Sequence, residues 1–100
     1  VEPMVLVAAD GYTYGGRAFD RRGELARIAE GLPGLRSLVV VGFLDDEPDL
    51  DGLTTRSGAS AQGWSDWLEP HVDATPRYEP LPFDHPWYVL FSSGTTGVPK

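Results

Sequence analysis

Apolar residues arrive along this chain in short bursts separated by glycine, proline and carboxylate. The first burst, MVLVAA (Met4–Ala9), is a continuous run of the length a buried parallel strand takes. DGYTYGG (Asp10–Gly16) interrupts it with three glycines and two tyrosines and reads as a loop. From about Phe19 to Leu32 the period changes. Leu25, Ile28, Ala29 and Leu32 fall at i, i+3, i+4 and i+7, one face of an amphipathic helix. Asp20 suits its N-cap, and Gly31, Pro33 and Gly34 supply the stop. SLVVVGF (Ser37–Phe43) is a second strand-like run. Strand, helix and strand within about 40 residues predict a βαβ unit. The expected fold class is therefore α/β, an incomplete βαβ segment of a parallel sheet occupying residues 1–43.

Beyond Phe43 the pattern loses its period. Asp45–Asp51 carries five carboxylates in seven residues, and Thr54–Gly63 is small and polar, so residues 44–63 are expected to form a solvated acidic and polar loop. The acidic spacing does not match a calcium loop, and Pro48 interrupts it, so no metal site is expected. Residues 64–86 should hold a short helical turn, WSDWLEP, ended by Pro70, then an extended stretch with four prolines in the thirteen residues from Ala74 to Pro86. Trp64 and Trp67 stand three apart, a spacing that packs two rings on one helical face. WYVLF (Trp87–Phe91) is strongly β-prone, and residues 87–100 read as a strand followed by a loop.

Charge and composition narrow the partners. A net charge of −7 argues against nucleic acid and anionic membrane surfaces, which require basic patches. It does not argue against phosphate, because anion sites can be built locally from backbone N–H groups. With no cysteine, disulfides and thiol-ligated metals are excluded from this stretch, and a cytoplasmic location is expected. No apolar run approaches the ~20 residues of a membrane span. The chain starts at Val1 and stops at Lys100 directly after a glycine- and proline-rich turn, which reads as an internal piece of a longer protein.

That last turn, SSGTTGVPK, is where chemistry concentrates. Gly94 and Gly97 let a backbone approach a ligand closely. Ser92, Ser93, Thr95 and Thr96 offer hydroxyls to phosphate oxygens, and Lys100 is a mobile point charge at the far end. The loop follows a strand, and the C-terminal ends of strands are where open α/β sheets place ligands. The two common nucleotide patterns fail here, because Val98 and Pro99 separate Gly97 from Lys100 and no GxGxxG is present. Composition alone leaves two readings open, a serine–glycine linker or a phosphate loop.

The nine residues from Ser92 to Lys100 resemble the phosphate-binding signature of the adenylate-forming superfamily at every position. Val7–Arg22, above all DGYTYGGRAFDR, together with Tyr78–Lys100 and its PFDHP, is similar to the acetoacetate–CoA ligase branch. The resemblance implies a partial N-terminal domain of an AMP-dependent synthetase over residues 1–100. It implies an enzyme that activates acetoacetate as acetoacetyl-AMP and passes the acyl group to coenzyme A, with ATP, Mg²⁺ and CoA as cofactors or co-substrates. Ser92, Ser93, Gly94, Thr95, Thr96, Gly97 and Lys100 would handle ATP and pyrophosphate. No catalytic residue falls within these positions, so the segment alone is expected to be inactive. An acetyl- or propionyl-CoA synthetase, or a flavodoxin-like binding module without catalysis, are the alternatives.

The remaining polar residues read more plainly. His85, between prolines, is expected to be a locally hydrogen-bonded turn residue, and His71 an exposed one. Tyr12, Tyr14, Gly15 and Gly16 suit hairpin packing. Arg17, Arg21 and Arg22 either solvate the start of the helix or form a basic spot for CoA phosphates, the first being the plainer reading.

Overall fold

The computed structural model describes residues 2–92. Within them the chain forms β1 (Val5–Ala9), β2 (Gly11–Tyr14), β3 (Arg17–Asp20), α1 (Arg22–Glu30), β4 (Ser37–Val41), β5 (Gln62–Gly63) and α2 (Trp64–Leu68), with a 3₁₀ turn at Glu69–His71. β1 and β4 pair in parallel from Val5↔Ser37 to Ala9↔Val41, and β5 adds to the other side of β4 through Val39↔Gln62 and Val40↔Gly63. The sheet order is β1-β4-β5, an α/β arrangement with α1 in the connection between the parallel strands. Two bonds outside the strands lengthen the β1–β4 ladder: Met4 O accepts from Arg36 N at 2.8 Å, and Asp10 N donates to Val41 O at 3.1 Å.

β4 is the strand the core is built on. Leu38 and Val40 point one way and join Leu25 and Ala29 of α1 with Leu35 and Leu53, while Val39 on the other face is buried as well. A strand in the middle of a parallel sheet is covered on both faces, so its apolar run is continuous rather than alternating. β1 behaves differently. Leu6 and Ala8 pack on the core, but Met4, Val5 and Val7 are exposed, and the far edge of β1 has no strand against it among the described residues.

The helix starts later than its periodicity predicts. Phe19 and Asp20 belong to β3, and α1 begins at Arg22. Arg21 holds the N-cap position without a side-chain cap bond; Asp20 Oδ1 instead accepts from Arg22 N at 2.9 Å. The expected capping carboxylate is thus present, displaced by one residue. Of the predicted face, Leu25 and Ala29 are buried, whereas Ile28 is 52% exposed.

Residues 44–63 are less of a solvated excursion than their composition suggests. Leu53 and Thr55 are buried, and Leu50 and Ala61 pack against the core. Ala61 N donates to Leu53 O at 2.8 Å, Thr54 bridges to Ser60, and Thr55 Oγ1 accepts from Ala59 N at 3.1 Å. Polar spelling hid this turn because its hydroxyls satisfy backbone groups inside the fold rather than water. Its exit delivers Gln62–Gly63 to the edge of β4, a strand the sequence does not announce. Pro70 then sits in the first turn of the 3₁₀ segment, where its missing N–H costs nothing.

From Val72 to Ser92 every residue is exposed and none belongs to a helix or strand. Trp87–Phe91, expected as a strand, makes no ladder here. Its side chains are open to solvent, with Trp87 at 91% exposure. β-propensity describes how well a side chain fits a half-buried sheet surface, and no such surface receives this segment among the described residues.

The arrangement predicts that Leu38→Ala, which empties a fully buried position on the central strand, lowers stability by about 2–5 kcal/mol. Denaturant unfolding read by far-UV circular dichroism measures it, and a midpoint unchanged from wild type would contradict the packing described.

Candidate functional site

At the C-terminal ends of β1 and β4, where open α/β sheets place ligands, the chain folds three pieces together around Asp10. The side chain is 3% exposed. Its Oδ1 accepts from Phe43 N at 2.8 Å and Leu44 N at 2.9 Å, and its Oδ2 from Asp45 N at 3.1 Å. Its backbone oxygen accepts from Arg21 N at 2.8 Å, which fixes the foot of the β2–β3 hairpin. Burial pushes the Asp10 carboxyl up, but the bonds from Leu44, Phe43 and Asp45 outweigh it, and the pKa falls below the ordinary 3.8. Gly42 is required at this corner, since a Cβ there would stand 2.2 Å from Asp45 O.

The segment read as a loop, Asp10–Gly16, is the first arm of a hairpin. β2 and β3 pair from Gly11↔Asp20 to Tyr14↔Arg17, and the tip is Gly15–Gly16 with φ of 57° and 76°. Positive φ at both central residues is the demand of a two-residue hairpin turn, and glycine meets it without a Cβ clash. Gly-Gly between YTY and RAF was the signal for it. Gly11 opens the hairpin because a Cβ would meet Phe19 O at 2.2 Å.

One face of the hairpin is aromatic and cationic. Tyr12 and Phe19, directly cross-strand, stack with ring centroids 5.1 Å apart. Arg21 lies 5.2 Å from the Tyr12 centroid, donates to Tyr12 Oη at 2.8 Å and to Glu24 Oε1 at 3.1 Å. Arg17 lies 5.7 Å from the Phe19 centroid and has no carboxylate partner among the described residues. Arg22 is committed elsewhere: its guanidinium grips both oxygens of Asp20, and Nη1 donates to Asp49 O at 2.9 Å. That guanidinium holds the Asp20 carboxyl down at about 2. The three arginines therefore separate, one locked to the acidic loop and two on the aromatic face.

Beneath the hairpin, a cavity of about 290 Å³ is bordered by Asp10, Asp20, Arg22, Leu44, Asp45 and Asp49. Its chemistry is not that of an anion site. Asp10 spends its acceptors on backbone donors, Asp20 is neutralised by Arg22, and the remaining carboxylates would repel phosphate. No group of three or more metal-ligating side chains occurs among the described residues.

Of the residues expected to form a phosphate loop, Ser92 is exposed and outside regular structure. Ser93, Gly94, Thr95, Thr96, Gly97 and Lys100 lie outside the described residues. His85 N donates to Pro82 O at 3.0 Å in a local turn, and its side chain, like that of His71, is exposed. Trp64 and Trp67 pack on each other with centroids 5.8 Å apart. No helix among the described residues is long and apolar enough to cross a membrane.

A parallel α/β segment with a hairpin inserted after its first strand is the class that these observations define. The relatives are acetoacetyl-CoA synthetases. Over its whole length the chain is 34% identical to the acetoacetyl-coenzyme A synthetase of Rhizobium meliloti (strain 1021) and 28% identical to the acetoacetyl-CoA synthetase of Danio rerio. In structure it matches acetoacetyl-CoA synthetase from Streptomyces lividans with a TM-score of 0.74 and 43% identity over 99% of the chain. The chain spans 14–15% of the length of these relatives. No protein-family model matches it. The resemblance first drawn from DGYTYGGRAFDR and SSGTTGVPK thus holds from end to end, and the α/β fold class with it.

Removing the Asp10 side chain leaves three backbone N–H groups without an acceptor. Asp10→Ala is expected to lower stability by about 2 kcal/mol or more, with Asp10→Asn losing less. A carboxyl whose folded pKa is depressed stabilises above its unfolded value and loses that contribution as pH falls through the folded one. Wild-type stability should therefore drop as pH falls below 3.8, and Asp10→Asn should flatten that limb. Urea unfolding at stepped pH reads both effects; an acid limb identical in the two proteins would refute the role.

Proposed function

We propose that this chain is a segment of an acid–CoA ligase that activates acetoacetate with ATP. The observation that carries the reading is the end-to-end similarity to acetoacetyl-CoA synthetases, at 43% identity in the case of the Streptomyces lividans structure. A free carboxylate is a poor electrophile, because its charge repels nucleophiles and oxide is a poor leaving group. An acetoacetate oxygen attacks the α-phosphorus of ATP, and the bond to the bridging oxygen breaks to release pyrophosphate. The thiol sulfur of coenzyme A then attacks the acyl carbon, AMP leaves, and the thiol proton is lost.

In the first half-reaction the protein's task is positioning and charge neutralisation. Ser92–Thr96 and Gly97 would supply hydroxyl and backbone N–H donors to the β- and γ-phosphates, and Lys100 a cation, with Mg²⁺ travelling with the nucleotide. In the full-length ligase, Lys100→Ala and Gly94→Val should each lower acetoacetate-dependent ATP–pyrophosphate exchange by about 100-fold or more. A non-catalytic module in which this turn is only a linker requires exchange to be unchanged in both. Measuring CoA-ester formation from acetate, propionate and acetoacetate separates the sister ligases, and a preference for acetate would overturn the acetoacetate assignment.

A second reading concerns the hairpin, and what supports it is the separation of Arg17 and Arg21 from Arg22. Arg17, held over Phe19 without a carboxylate partner among the described residues, is available to a phosphate of coenzyme A. Arg17→Ala in the full-length ligase should then raise KM for CoA about tenfold while leaving ATP–pyrophosphate exchange intact. An unchanged KM would return Arg17 to a role in solvating the hairpin.

A further inference from the structure

We draw no further inference here: the strongest candidate, the exposed apolar flank of β1 formed by Met4, Val5 and Val7 beside the open edge of the sheet, carries nothing because nothing in the structure shows what covers it.

Discussion

Where β1 ends, a buried carboxylate accepts three consecutive backbone N–H groups from Phe43–Asp45 while its own main chain holds the foot of the hairpin. The three side-chain bonds join segments more than thirty residues apart in sequence. Without them the chain leaving β4 would carry unpaired donors at a part-buried corner. With them, the acidic stretch is turned back, Leu53 joins the core and Leu50 packs against it. The return through Ala61 then brings β5 beside β4. Much of the architecture after residue 42 follows from that one acceptor.

The same corner separates two kinds of charge. Carboxylates gather on the loop side, where Asp20 and Arg22 neutralise each other and Asp10 is consumed by the backbone. Cationic groups gather on the aromatic face of the hairpin, where Tyr12 and Phe19 give the guanidinium of Arg21 a surface to lie on. A net charge of −7 therefore says little about what any one face can bind.

The parallel strands were legible because Met4–Ala9 and Ser37–Phe43 are apolar runs with few polar interruptions; burial on both faces accounts for the run in β4, while β1 carries a similar run with Met4, Val5 and Val7 exposed. The helix was legible from Leu25 and Ala29, although its start was read three residues early because Phe19 mimics a helical position while serving a cross-strand stack. The hairpin was legible only in part: Tyr12, Tyr14, Gly15 and Gly16 suit hairpin packing, but the glycine content of Asp10–Gly16 hid the strand on either side of its tip. β5 was beyond reach: two residues, one of them glycine, have no period. Asp10 was invisible as well, since an aspartate after a strand usually marks a turn, and only the fold reveals which donors it serves. The phosphate-loop reading of Ser92–Lys100 rests on resemblance of its residues, and all of them but Ser92 lie outside the described part of the chain.

Among the described residues the far edge of β1 is unmatched, and that has a consequence for the folding chain. A strand with one edge hydrogen-bonded and the other open, carrying valines on its uncovered face, accepts almost any β-prone segment that reaches it. Trp87–Phe91 is such a segment, and a second copy of the chain carries another. An edge of this kind is a template for pairing with a wrong strand while a chain folds.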